Sequence, residues 1–257
     1  YAGETEDYGV GLELNWDLGG AQLTSITGYR EYANFQASDT DYTQVDILYR
    51  APGEDAGARE FETFSQELRL QGEAFGGTLD WLIGGYYANE KLETRDNLRF
   101  GTQYGAFAPC RLVNAVNPAL ASPTSSGCLS AGGRGALLAA NGGAGALGPL
   151  TAQFFTGLDL LAQVNDVGST RDVYNQESNN WAIFTHNIVN ITDALNLTLG
   201  VRYTSETKDY DAAFGNDNTV CPTNRALLSP LLGTGAAALA GGIISLSCQG
   251  NSTSELD

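Results

Sequence analysis

The chain has 257 residues, thirty acidic against thirteen basic, for a formal net charge of −17, which excludes binding to nucleic acid through a basic patch. Apolar residues make up 42% of it. That excludes a bundle of membrane helices but leaves room for a membrane barrel, whose inward-facing half keeps the average polar. Methionine is absent and the acidic start, Tyr1 to Asp7, has no apolar run, so the chain reads as an internal piece of a longer protein, without a signal peptide.

Tyr8, Val10, Leu12, Leu14, Trp16 and Leu18 alternate with polar residues and glycine, the period of a strand with one apolar face. Gly19–Gly20 supplies a tight turn, and the return segment AQLTSITGYREYANF is β-prone, with Leu23 and Tyr29 in one parity and Ile26 and Tyr32 in the other. This first hairpin spans about 8–35, and an acidic loop occupies about 36–60. A second hairpin, about 61–92, sets Phe64, Gln66, Leu68 and Leu70 against Ser65, Glu67, Arg69 and Gln71. It turns at Gly76–Gly77 and climbs through Leu79, Trp81, Ile83 and Tyr87. From about 93 to 177 the alternation dissolves, except for a short helix expected after Pro149 on the spacing of Leu150, Phe154, Leu158 and Leu161.

The third hairpin, about 178–208, holds the clearest signal. Leu195, Leu197, Leu199, Val201 and Tyr203 alternate with Asn196, Thr198, Gly200, Arg202 and Thr204, after a turn at Thr192–Asp193–Ala194. In its first strand Ala182, Phe184 and Ile188 share one parity. A last irregular region, about 209–257, contains the apolar run Ala226 to Leu246. Pro230 and several glycines interrupt that run, which reads as loop with helical turns rather than a membrane span.

The cysteines form two close pairs, Cys110 with Cys128 and Cys221 with Cys248. Neither has CxxC spacing and there is a single histidine, so two local disulfides in an oxidising compartment are expected rather than a zinc site. Asp39 with Asp41 and Asp209 with Asp211 have oxygen spacing that could suit Ca²⁺, but neither has an EF-hand loop's glycine and distal glutamate, and no metal or cofactor is expected. His186, mid-strand, gives no catalytic constellation, and no enzymatic activity is expected. The sequons at Asn190, Asn196 and Asn251 read as accidental.

Every short turn lies on one side of these hairpins and every long connection on the other. That asymmetry, with strands of about ten or more residues, describes an antiparallel transmembrane β-barrel meander, all-β, with long extracellular loops containing short helices. The segments LTSITGYREY, FSQELRLQG with LDWLIGGYYANEKL, and NWAIFTHNIVNITDALNLTLGVRYTSETKDY resemble successive barrel strands of TonB-dependent outer-membrane receptors. The resemblance covers about half the chain. It implies about six strands of a barrel of about twenty-two that encloses a plug and imports a scarce nutrient, most commonly a ferric siderophore, with energy delivered through the TonB complex. Plug and TonB box are not in this chain.

On that reading the partners are outer-membrane lipid, the rest of the barrel and plug, the TonB complex through the parent protein, and a small nutrient. Trp16 and Trp81 near short turns, and Tyr29, Tyr87, Trp181 and Tyr203 near long-loop ends, would form two interfacial girdles. Ligand contacts are expected on the loops, with Tyr42, Tyr49, Arg99, Phe100, Tyr104, Phe107, Arg111, Tyr210 and Phe214 as candidates. A passive or adhesive barrel without a plug, and a secreted soluble β-rich binding protein or enzyme, are the alternatives.

Overall fold

A computed structural model describes residues 3–52, 56–120, 129–143, 147–248 and the backbone of 255–256. Six long strands form an antiparallel sheet: β1 (Gly3–Asp17), β2 (Ala21–Gln36), β5 (Gly57–Ala74), β6 (Leu79–Arg95), β8 (Val173–Thr192) and β9 (Leu195–Ala213). They lie in the order β1-β2-β5-β6-β8-β9, and β10 (Glu255–Leu256) adds a short pairing beyond β9. This is a meander in which each strand lies beside the long strands that precede and follow it in the chain. The sheet is open, with β1 at one edge, and the described residues form no closed barrel.

The three expected hairpins are present, each running further than the alternation suggests, chiefly at the long-loop ends. Two of the three turns fall where glycine permits them. Gly19 sits at φ 83°, and Phe75, Gly76 and Gly77 take φ of 57°, 67° and 88° in succession, the left-handed region that glycine enters without steric cost.

The long connections are more ordered than expected. Short strands β3 (Ser38–Asp39), β4 (Leu48–Arg50) and β7 (Leu98–Phe100) form a second sheet that ties the first loop to the second. Bridges from Arg99 to Gly168 and from Ser169 to Asn216 extend the weave to the last loop. Five α-helices lie among the described residues: α1 (Tyr104–Val116), α2 (Ala131–Ala140), α3 (Leu150–Leu161), α4 (Val220–Leu228) and α5 (Ala237–Cys248). Ser130 caps α2 by accepting from the Gly133 N–H, which satisfies one of the otherwise unpaired first-turn donors. The helix expected after Pro149 is α3. The apolar run from Ala226 breaks at a 3₁₀ turn, Ser229–Gly233, that holds Pro230.

These helices share one core. Phe154, Leu158 and Leu161 of α3 meet Leu228, Leu231 and Ile243 from the last loop and Val113 from α1, with Ile47 and Phe100 joining from the first two loops. The molecule therefore has two parts, a bare sheet and a helical cap on its long-loop end. Among the described residues no helix is long and apolar enough to cross a membrane.

Candidate functional site

Cross-strand pairing decides which side chains share a face, because directly paired residues project to the same side. One face of the sheet carries Val10, Leu12, Leu14 and Trp16 of β1. Through successive pairings it continues with Leu23 and Tyr29, then Phe64, Leu68 and Leu70, then Trp81, Ile83 and Tyr87, and ends with Trp181 and Ile183 beside Leu197 to Tyr203. These side chains are largely open to the surroundings, Val10 by 70% and Val201 by 71%. The face carries large apolar residues on all six strands, with Ser25, Thr27, Gln66, Thr185 and Asn187 interspersed.

In β8 the apolar face is carried by Trp181, Ile183 and Val189, whereas Ala182, Phe184 and Ile188 lie on the opposite side with Arg202. Both parities of β8 hold apolar residues, so alternation alone does not identify its outward set; the pairing with β9 does.

The aromatic residues on this face form an oblique band. Tyr29 is level with Val10 and Phe64. Tyr87 stands beside Trp181 and is level, through Gln66 and Thr27, with Leu12. Tyr203 is level with Leu14 through Ile183, Gly85, Leu68 and Ser25. From Tyr8 on β1 to Tyr203 on β9 the band descends six residues in five strand-to-strand steps. With about 3.3 Å per residue and about 4.8 Å per step, the strands are inclined about 40° from the perpendicular to the band. Trp16 and Trp81 lie on the same face toward the short turns, where Gly72, lacking a side chain, leaves room for the Trp81 ring.

Above the band, toward the cap, the same face turns acidic. Glu6, Glu31, Glu60, Glu62, Glu93, Glu177, Asp209 and Asp211 accompany only Lys91 and Arg95, and a depression of about 340 Å³ opens among the first five. Most of these carboxylates read as loop in the sequence. Their signal is the i, i+2 spacing of Glu4 with Glu6, Glu60 with Glu62 and Asp209 with Asp211, which continues the strand period past the apolar zone.

The opposite face is polar. Arg30 pairs with Asp7 at 2.5 Å, Arg69 with Glu67, and Thr24 donates to Asn15 at 2.7 Å. The Arg202 guanidinium lies over Tyr86 at 5.7 Å and Phe184 at 5.4 Å, and Phe184 can lie flat because a Cβ on Gly84 would collide with its ring. Near the short turns a depression of about 690 Å³ is lined by Asp17, Gln71, Asp80 and His186 among others.

The loop candidates divide. Phe100 and Tyr104, 3% and 2% exposed, stack on one another at 4.1 Å inside the cap core, and the Tyr104 hydroxyl donates to the Leu246 carbonyl at 2.7 Å. Burial pushes the Tyr104 phenol up to about 12, against a smaller opposing pull from Arg111. Phe107 packs against that core with Arg111 over its ring at 5.9 Å. Tyr49 bonds to the Asp166 carboxylate, and Arg99 donates to the Asp166 carbonyl at 2.6 Å and to Asp217 at 2.9 Å, so both stitch loops together. Phe214 meets Tyr174 edge-on, and Tyr210 lies half-exposed on the polar face. Only Tyr42, 91% exposed, stands clear.

Tyr42 occupies φ 57°, a conformation that costs a non-glycine residue about 1–3 kcal/mol and persists only where its surroundings enforce it. Here Asp41 enforces it, accepting from Thr43 N–H and Oγ1 (3.0 and 2.5 Å) and from the Ile47 and Leu48 amides (3.0 and 2.8 Å). Partial burial opposes ionisation of Asp41, but these bonds outweigh it and hold its carboxyl below the usual range. With both oxygens engaged, Asp41 is a loop anchor. Asp39 accepts from the Asp41 amide at 3.1 Å, while Asp209 and Asp211 lie on β9 in the acidic zone. Among the described residues no group of three or more His, Cys, Asp or Glu could hold a metal ion.

Cys221 and Cys248 are joined, stapling the start of α4 to the end of α5. Cys128 lies outside the described residues, and with it the expected pairing to Cys110. No protein-family model and no curated protein matches the chain.

Proposed function

We propose that this chain is a section of outer-membrane β-barrel wall carrying an extracellular ligand-facing cap, and that the whole protein imports a scarce nutrient. The observation that carries the reading is the apolar face, exposed across six strands and bordered by an oblique aromatic band. A soluble protein rarely leaves so extended an apolar surface uncovered. Lipid is its natural neighbour: the inclination of about 40° lies within the tilt of about 35–45° that strands adopt in membrane barrels, and aromatic rings gather where such walls leave the hydrocarbon. The acidic zone above the band and the short turns below it suit the two aqueous sides.

Import through a plugged, TonB-energised barrel, with a ferric siderophore as the commonest cargo, rests on the family resemblance of the strand segments. The polar face, with its Arg–Glu and Arg–Asp pairs, is the side a plug would occupy.

The wall reading is tested by replacing Leu199 with Arg in the full-length protein and measuring insertion into lipid vesicles and heat-modifiable gel migration. Burying that charge near mid-membrane is expected to cost about 2–4 kcal/mol, whereas Arg at Thr198, on the polar face, is expected to be tolerated. Equal tolerance of both would mean that the apolar face does not meet lipid. Import itself is tested by the segment upstream of this chain, where a plug is expected.

A further inference from the structure

The apolar face of the sheet ends differently at its two borders. On the cap side the first outward residue beyond the aromatic band is polar on every strand, and on β1, β2 and β5 it is Glu6, Glu31 and Glu62. On the turn side, none of the described residues of that face is charged from the band to the last paired residues. The apolar character then runs on into the turns. Each of the three holds a large apolar side chain open to the surroundings, Leu18 by 58%, Phe75 by 82% and Ile191, at the foot of β8, by 54%. Turns that meet water are built mostly from glycine, proline, asparagine, aspartate and serine. Phe75 departs furthest from that rule, because it occupies φ 57°, where a bulky residue is strained and glycine or asparagine is not.

The depth of these tips points to what they meet. Leu18 lies ten residues from Tyr8, Ile191 ten from Trp181 and Phe75 eleven from Phe64. At about 3.3 Å per residue and an inclination of about 40°, the tips stand about 25–28 Å from the band. The apolar belt of an outer-membrane wall is about 25 Å tall. The tips therefore fall where hydrocarbon gives way to headgroups, a layer that accepts an apolar side chain on one side and the peptide groups of a turn on the other. We propose that Leu18, Phe75 and Ile191 are lipid anchors that seat the turn end of the sheet in the headgroup boundary of the nearer leaflet. Glu6, Glu31 and Glu62 keep the cap end from sinking, and the three tips hold the opposite end, so the depth of the wall is set from both borders. The proposal rests on the wall reading and adds to it a lipid contact at the turns.

The test places a nitroxide label on Leu18→Cys, Phe75→Cys and Ile191→Cys, one at a time, in the full-length protein reconstituted in phosphatidylcholine vesicles. Labelling is done without reductant, since no cysteine among the described residues is free, and all three positions are exposed, so the label displaces no packed side chain. Collision with oxygen, which concentrates in hydrocarbon, is compared with collision with a water-soluble nickel chelate. Leu199→Cys marks the apolar face and Tyr42→Cys marks water. The oxygen-to-nickel collision ratio at all three turn positions is expected to exceed that at Tyr42→Cys severalfold and to fall below that at Leu199→Cys. A lipid-like ratio at Leu199→Cys with water-like ratios at the turns would overturn the anchors and leave the wall reading standing. A water-like ratio at Leu199→Cys as well would overturn both.

Discussion

The sheet and the cap are made from one chain but obey opposite packing rules. Among the described residues, all of the largest fully buried side chains, Phe154, Leu137, Leu158, Leu228 and Ile243 among them, belong to the cap. The sheet's buried apolar residues are alanines: Ala58, Ala88, Ala182 and Ala212. Its large apolar residues touch only neighbours on the same face, as Phe64 meets Tyr87 and Trp181 meets Tyr203, and no second layer covers them. Hydrogen bonds between neighbouring strands hold the sheet, while apolar burial holds the cap. The sheet thus leaves an apolar face uncovered by the described residues, whereas the cap carries its own interior.

That contrast can be broken or sharpened by experiment. The largest effect is expected from Phe154→Ala, which removes a fully buried ring and should destabilise the cap by about 3–5 kcal/mol. Hydrogen exchange should then accelerate in α3, α4 and α5 and stay slow in β5 and β6; equal acceleration in both parts would mean that they are one cooperative unit. Next comes the Cys221–Cys248 bond. Replacing both cysteines with serine should cost about 2–4 kcal/mol, seen as a lower melting midpoint for the helical signal with strand signal retained, and neither thiol should label without reductant.

The smallest effect is alkaline. The Tyr104 phenol is raised by burial to about 12, so its stabilising contribution is complete below the unfolded value near 10 and is lost as pH rises through the folded one. Spectroscopic titration should show Tyr104 ionising last, after Tyr49 and Tyr174, which are also raised, together with loss of helix. Tyr104→Phe should abolish that late step.

The sheet is legible from sequence because its code is local. Strict alternation from Tyr8 to Leu18 and from Leu195 to Tyr203, with glycine or Thr-Asp-Ala turns, specifies strands without reference to any partner. Where both parities are apolar, as from Trp181 to Val189, the code fails and only register resolves it. Residues past the apolar zone, such as Glu60, Glu93 and Asp209, read as loop because their strands lose apolar contrast there. The cap is largely illegible. Its helices are rich in alanine and glycine, and their apolar faces are completed by loops far away in sequence. Only α3 has a dense enough stripe, Leu150, Phe154, Leu158 and Leu161, to be found alone. For the same reason Phe100 and Tyr104 resemble ligand contacts: an aromatic residue in a long loop carries no local mark of burial.

The Tyr104–Leu246 hydrogen bond joins residues 142 positions apart, and Ile47 from the first loop lies in the same core. The cap therefore cannot close until synthesis has passed β9 and the last loop. Until then α1, α2 and α3 expose apolar faces whose cover has not yet been made. Those faces must meanwhile be kept from associating with one another, so α1, α2 and α3 are where a holding chaperone would find its footing.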